Sequence, residues 1–201
     1  MALPAFADTV RIAVKTQDGV PAIEAVVELV PPAGATLPPS SVAEKAEIDQ
    51  RNLTFLPLVT LIRRGGRVVF ANSDTTMHQV YSFAAIKQFQ FEIHQGERSQ
   101  PVIFDQAGVA AIGCNIHDQM IAYVYVAASP FAAITDASGT VRFADVPAGA
   151  YQVSIWHPRL PPGETLPTHS LAVGSAPMTT ASYSLPPLLA PAKSRMHMGT
   201  Y

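Results

Sequence analysis

Short segments in which apolar and polar residues alternate follow one another through most of this sequence. Residues 88–93 show the pattern most clearly, with two phenylalanines and an isoleucine on one face and two glutamines and a glutamate on the other. Eighteen prolines and 12 glycines are spread along the chain. Side chains of a strand point alternately to the two faces of a sheet, and turn residues separate the strands. The pattern predicts an all-β protein built of antiparallel sandwiches.

Composition excludes several classes of protein. Charged residues make up 14% of the chain and hydrophobic residues 48%, a balance too apolar for a disordered protein. The net charge is −2, and without a basic run we expect no nucleic-acid partner. No segment reaches the roughly 18 consecutive apolar residues of a membrane-spanning helix. The single cysteine excludes an intramolecular disulfide, a four-cysteine zinc site and a CxxC redox pair.

Three features of the first 46 residues bear on organisation and export. Residues 31–41 are rich in proline, glycine and serine and are the best candidate for a linker. Residues 41–44 fit the capping box of a short helix, but a strand that begins near Ala46 fits the sequence as well. Near the start, Ala5-Phe6-Ala7 has the form of a signal-peptidase site, without a basic region before it. We therefore expect an exported, periplasmic protein whose leader is missing or truncated.

The residues with the most informative chemistry are the seven from Cys114 to Met120. They place a thiolate, the His117 imidazole and a thioether at positions i, i+3 and i+6 of a short loop after an apolar strand. Soft sulfur ligands together with imidazole suit copper, and two His with one Cys and a weak axial Met describe an electron-transfer copper site. A second His must then come from elsewhere, and His78, after the strand-like run 67–71, is the candidate.

These motifs resemble those of the cupredoxins, the small blue copper proteins. The ligand loop has the Cys-x-x-His-x-x-Met spacing of amicyanin-like members, and residues 55–57, 65–70 and 72–78 are similar to the family's strand, turn and first-ligand loop. The resemblance covers roughly residues 46–127 and departs from the family at Gln79, where many members have Asn or Thr. It implies a Greek-key β-sandwich with one type 1 copper. The ligands it implies are His78, Cys114, His117 and Met120.

Two other interpretations of these residues remain open. A lone cysteine in a β protein is usually a small buried hydrophobe, and zinc can be bound by one Cys and two His, although a thioether adds nothing to a zinc site. Outside the loop, residues 196–198 (Met-His-Met) could hold Cu(I) with soft ligands, but a disordered tail is the simpler interpretation.

The flanks resemble a second family, the carboxypeptidase-regulatory-like, or transthyretin-like, β-sandwiches. The similarity lies in residues 16–29 and, after the whole cupredoxin-like segment, in residues 135–151. Because chain termini of compact domains often lie close together, insertion of one domain into another is tolerated. We expect a copper domain at 44–128, inserted in a discontinuous sandwich formed by 8–33 and 130–187, and a tail at 188–201. The alternative is that the flanking strands extend the cupredoxin-like sheet.

The resemblance implies an electron carrier rather than an enzyme. Its partner would be a redox protein, such as a c-type cytochrome or a periplasmic dehydrogenase or reductase, and apolar residues near His117 would contact it. Ile116, Ile121 and Met77 are the candidates. Two alternatives stay open at this point: copper storage or delivery without electron relay, and an adhesion or scaffold role of the sandwich.

Overall fold

In many of the strands, more buried and more exposed side chains alternate. The structure, a computed structural model, describes residues 6–35, 37–40, 42–161, 168–174 and 176–190. Every regular element in these ranges is a strand, which confirms the prediction of an all-β protein. The same ranges contain no helix long and apolar enough to cross a membrane. The strands are β1 (Phe6–Lys15), β2 (Val26–Val30), β3 (Lys45–Gln50), β4 (Phe55–Leu56), β5 (Val59–Arg63), β6 (Gly66–Asn72), β7 (His78–Ala84), β8 (Lys87–Ile93), β9 (Val102–Phe104), β10 (Gly108–Cys114), β11 (Ile121–Ala127), β12 (Ala132–Ile134), β13 (Thr140–Pro147), β14 (Gly149–Trp156), β15 (His169–Val173) and β16 (Met178–Ser184).

The segment after the proline-rich stretch is a strand, not a helix. β3 pairs in parallel with β6 from Lys45 opposite Arg67 to Gln50 opposite Asn72. Gln50 is fully buried, and its side-chain amide donates to the Ala71 carbonyl at 2.9 Å. Ser41, the capping residue of the helix alternative, lies outside the described residues. A helix over the residues that follow was wrong, because Lys45–Gln50 gain a full ladder of hydrogen bonds in the sheet.

The strands before residue 31 and after residue 129 pair with one another in two sheets. One sheet has the order β13-β1-β16 and the other β12-β2-β14-β15. β1 lies antiparallel to β13 and parallel to β16. Gly139 begins the return from the turn at 135–139 with a φ of 71°, and a Cβ there would lie 2.5 Å from the Val14 carbonyl oxygen. Only glycine fits that close approach. The apolar core between these sheets draws its fully buried side chains from residues 10–29 and 131–185.

The central strands form two further sheets. Their orders are β4-β3-β6-β9 and β5-β11-β10-β7-β8. The buried residues of the apolar core between these two sheets all lie between Ile48 and Val126, and they include Cys114 and Met120. Two of the four metal-ligand candidates therefore belong to this second core.

A buried carboxylate and a third apolar cluster join the two cores. Glu28 of β2 is 5% exposed. Its carboxylate accepts the Tyr125 hydroxyl at 2.8 Å and the backbone N–H groups of Ala128 and Ser129 at 2.8 and 2.6 Å. Burial and the neighbouring carboxylate raise the pKa of Tyr125, so this hydroxyl stays protonated and donates. The apolar cluster around this junction contains Val26, Val42, Val59, Tyr125, Ala127 and Ala132.

Candidate metal centre

Three candidate ligands converge on one point. The Cys114 Sγ atom lies 3.6 Å from His78 Nδ1 and 3.7 Å from His117 Nδ1, and all three atoms lie within 4.8 Å of one another. Sulfur and nitrogen ligands at about 2.3 and 2.0 Å from one ion are about 3.5–3.8 Å apart when the angle between them is tetrahedral or trigonal. The thiol and the two imidazoles are therefore spaced to share a single ion.

Sheet pairing brings His78 to Cys114. Cys114 is the last residue of β10, His78 is the first residue of β7, and these antiparallel neighbours place Cys114 opposite Val80. His78 is fully buried and Cys114 is 2% exposed. Their approach depends on a contact between residues 36 positions apart, which the spacing within the loop could not reveal.

The short loop after β10 positions His117 and Met120. The Met120 N–H donates to the His117 carbonyl at 2.9 Å and closes the loop before β11 begins. His117 is half-buried, whereas Met120 is 3% exposed and packs in the same core as Cys114. The loop thus leaves one imidazole near the surface and directs the thioether inward.

Gln79 ties the two ligand segments together. Its side-chain carbonyl accepts the Asn115 side-chain amide at 2.7 Å, and its backbone carbonyl accepts the Asn115 N–H at 3.0 Å. These two bonds link the residue after His78 to the residue after Cys114. The residue at which the sequence departs from the cupredoxin pattern therefore links the two ligand segments in this structure.

Asp74 also belongs to the site, although its sequence context did not single it out. Its carboxylate accepts from His78 Nε2 at 2.9 Å and from the backbone N–H groups of Asn52 and Leu53 at 2.5 and 3.0 Å. Asn52 and Leu53 both have left-handed backbones, with φ of 53° and 54°. The feature of the sequence that could have indicated this contact is the position of Asp74, four residues before His78 in the loop.

The ionisation of Asp74 determines which nitrogen of the His78 ring carries the proton. Burial alone would raise the pKa of Asp74, but the hydrogen bonds from Leu53, His78 and Asn52 outweigh it and lower the pKa. An ionised carboxylate only accepts hydrogen bonds, so the ring proton sits on Nε2. The Nδ1 lone pair is then free to point towards Cys114, as a carboxylate–histidine–metal arrangement requires.

The other histidines of the described ranges lie apart from this cluster. His94 is exposed, and His169 stacks on Tyr183 with ring centroids 4.4 Å apart. Burial, together with Arg159, lowers the pKa of His157 to about 4, so this ring is neutral. The Met-His-Met motif at 196–198 and Ala5 of the signal-like triplet lie outside the described residues.

No protein-family model matches the chain, and no curated protein matches it. Among solved structures, a purple cupredoxin from Nitrosopumilus maritimus is 23% identical with a TM-score of 0.37, and the match covers 41% of this chain and 99% of that one. The structural neighbours include cupredoxins. Amicyanin from Paracoccus versutus is 19% identical with a TM-score of 0.38, and 52% of this chain and 99% of amicyanin are covered.

A copper-containing nitrite reductase from Thermus scotoductus is also similar to part of the chain. It is 22% identical with a TM-score of 0.39, and the match covers 51% of this chain. The match spans only 26% of that enzyme's length.

Proposed function

We propose that residues 44–128 bind one copper ion in a type 1 site and carry single electrons between redox proteins. The observation that supports this proposal best is the convergence of His78 Nδ1 and His117 Nδ1 on the Cys114 sulfur, at 3.6 and 3.7 Å. A thiolate with two imidazoles suits copper, and the thioether of Met120 would be the long axial ligand. When bound, copper supplies a one-electron change between Cu(II) and Cu(I).

The chain's own contribution is to hold these donors still. Asp74 fixes the ring of His78, the end of β10 fixes Cys114, and Gln79 holds the loop that carries His117. Packing in the sandwich core leaves His78 and Cys114 little room to move. Donors that keep one geometry in both oxidation states lower the cost of transferring an electron.

We further propose that the partner docks beside His117 through apolar contact. Ile116 lies within the ligand loop and Ile121 directly follows it; they are 47% and 40% exposed, and Met77 is half-buried. The net charge of −2 gives little long-range steering towards a charged partner. A c-type cytochrome or a periplasmic dehydrogenase or reductase would suit such a surface, and the protein would then work after export from the cytoplasm.

Residues 8–33 and 130–187 would form a second domain that carries the copper domain.

Adding Cu(II) to the purified protein tests the metal assignment. We expect an intense visible charge-transfer band and a narrow copper hyperfine splitting in the EPR spectrum, because a thiolate donates charge density to Cu(II). Cys114→Ser should lack the band, since a hydroxyl does not ionise readily, and His94→Ala is the matched control that should keep it. Pale tetragonal copper, or zinc retained against excess copper, would show that the assignment is wrong.

Electron relay has a separate test. The Cu(I) protein, mixed with an oxidised c-type cytochrome, should reduce it rapidly in a stopped-flow absorbance measurement. A blue protein that exchanges electrons slowly and releases copper readily to a chelator would point to copper storage or delivery instead.

Asp74→Ala should weaken copper binding by about 10–100-fold, the usual cost of losing a partner of a metal-bound histidine. Without the carboxylate, the proton on His78 is no longer confined to Nε2, and residues 52–53 lose the acceptor that holds them. Affinity is measured by competition with a chelator of known strength. Asp105→Ala, which removes an exposed acid outside the site, should bind copper as the unmodified protein does, and equal losses in both variants would contradict a role for Asp74.

A further inference from the structure

A second concave site lies between the two groups of sheets, separate from the three converging ligands. It is a cleft of about 640 Å³, within the range of about 300–1,000 Å³ that is typical of sites for small molecules. Its walls are mainly apolar and come from both parts of the fold. Ile23 and Leu189 line it from the flanking strands and their extensions, and Leu58 and Ile121 line it from the central ones.

Three polar side chains that line this cleft have no hydrogen-bond or ion-pair partner among the described residues. Glu24, Tyr123 and Arg159 face it, and within the described ranges none of the three side chains makes a hydrogen bond or an ion pair. Burial raises the pKa of Tyr123, so its hydroxyl remains a donor. A half-buried phenol, a free cation and a free carboxylate in one apolar cleft leave hydrogen-bonding capacity for a bound molecule.

Tyr123, in the wall of the cleft, packs against a second aromatic ring. The Tyr123 ring meets Trp156 edge to face, with centroids 5.2 Å apart and an interplanar angle of 64°. Both ring nitrogens of His157 are already used: Nε2 donates to the Ile23 carbonyl at 3.1 Å, and Nδ1 accepts the Arg159 N–H at 3.0 Å. His157 therefore shapes the cleft but offers no donor to a ligand. A flat aromatic ring suits a wall of this kind, since aromatic pairs gain from offset and edge-to-face contacts.

We propose that this cleft binds a small aromatic carboxylate that carries a hydroxyl at its far end. The carboxylate pairs with Arg159, the ring packs against Leu58, Ile121 and Tyr123, and the hydroxyl donates to Glu24. Arginine and a carboxylate form a charge-assisted pair, which is stronger than a neutral hydrogen bond. Ile121 also lines a smaller cavity together with Met120, so the bound molecule lies one side chain away from that cavity.

Binding of 3-(4-hydroxyphenyl)propionate to the full-length, metal-free protein tests the proposal. Because the metal is left out, a negative result does not bear on the copper site. Trp156 is the single tryptophan of the chain and contacts Tyr123, so its fluorescence reports occupancy, and titration calorimetry gives the affinity. We expect saturable binding, and weaker binding of 3-phenylpropionate, which lacks the hydroxyl.

Variants distinguish the polar contacts from the apolar wall. Arg159→Gln should weaken binding of both acids by about tenfold or more, as expected for a lost hydrogen bond to a charged group, whereas Arg142→Gln, on an exposed position of β13, should not. Glu24→Gln should weaken the hydroxylated acid more than 3-phenylpropionate. Ile23→Ser should weaken both acids, and circular dichroism with thermal unfolding checks that every variant is folded.

Three results would overturn the proposal. The first is the absence of saturable binding to the unmodified protein. The second is equal affinity in Arg159→Gln and Arg142→Gln. The third is a change of Trp156 fluorescence that depends on protein concentration without any added acid, because this would mean that a second copy of the chain occupies the cleft.

Discussion

Replacing Glu28 by alanine should lower the free energy of unfolding by about 3 kcal/mol or more. The carboxylate accepts three hydrogen bonds at the junction of the two cores, and its removal leaves the Tyr125 hydroxyl and the Ala128 and Ser129 N–H groups without an acceptor. Each buried donor left unsatisfied costs about 1–3 kcal/mol. The alanine variant no longer has the cost of burying a charged carboxylate, and this offsets part of the sum. Urea denaturation followed by circular dichroism measures the difference.

Three further variants separate the contributions at this site. Glu28→Gln keeps an acceptor for Ala128 and Ser129 and offers its amide to the Tyr125 oxygen, so we expect a loss of only about 1 kcal/mol. Tyr125→Phe removes one hydrogen bond and should cost a similar amount. Glu92→Ala, at an exposed position of β8, serves as the control. A Glu28→Ala protein as stable as the control would contradict the role given to this carboxylate.

The same variant tests how the two cores are joined. Glu28 belongs to β2, whereas Tyr125 belongs to β11, and each strand packs in a different core. If this carboxylate couples them, Glu28→Ala should split thermal unfolding into two calorimetric transitions, since the cores can then unfold separately. A single transition at a lower temperature would mean that the apolar cluster alone is enough to couple them.

The local part of the fold and of the site could be predicted from the sequence. Alternation with a period of two identifies a strand without any knowledge of its partner, as in residues 88–93. Likewise, Cys114, His117 and Met120 share one loop, so their spacing is visible in the chain. His78 was found only because a copper site of this kind requires a second imidazole.

Contacts between distant residues could not be predicted in the same way. Nothing in β1 reveals that it pairs in parallel with β16, about 170 residues later. In the sequence, Glu28 is an ordinary polar position within an apolar run, because the N–H groups that donate to its carboxylate lie about 100 residues away. Asp74 was visible in a motif, but its role depends on left-handed residues at 52 and 53, which the sequence did not indicate.

The last prediction concerns the different exposure of the two imidazoles. His117→Gly and His78→Gly should both lose the blue colour of the copper-loaded protein, because each removes a strong ligand. His117 is half-buried in a surface loop, so the space left by its side chain should admit imidazole from solution, and added imidazole should restore the visible band and the EPR spectrum. His78 is fully buried and its Nε2 is bonded to Asp74, so imidazole should restore little colour in His78→Gly. N-methylimidazole binds a metal through the same type of ring nitrogen but is larger by a methyl group. Comparing the two ligands therefore tests whether the size of the opening limits the recovery of colour. Equal rescue of both variants would mean that solvent reaches both imidazoles, and the assignment of His117 as the ligand nearest the partner would be wrong.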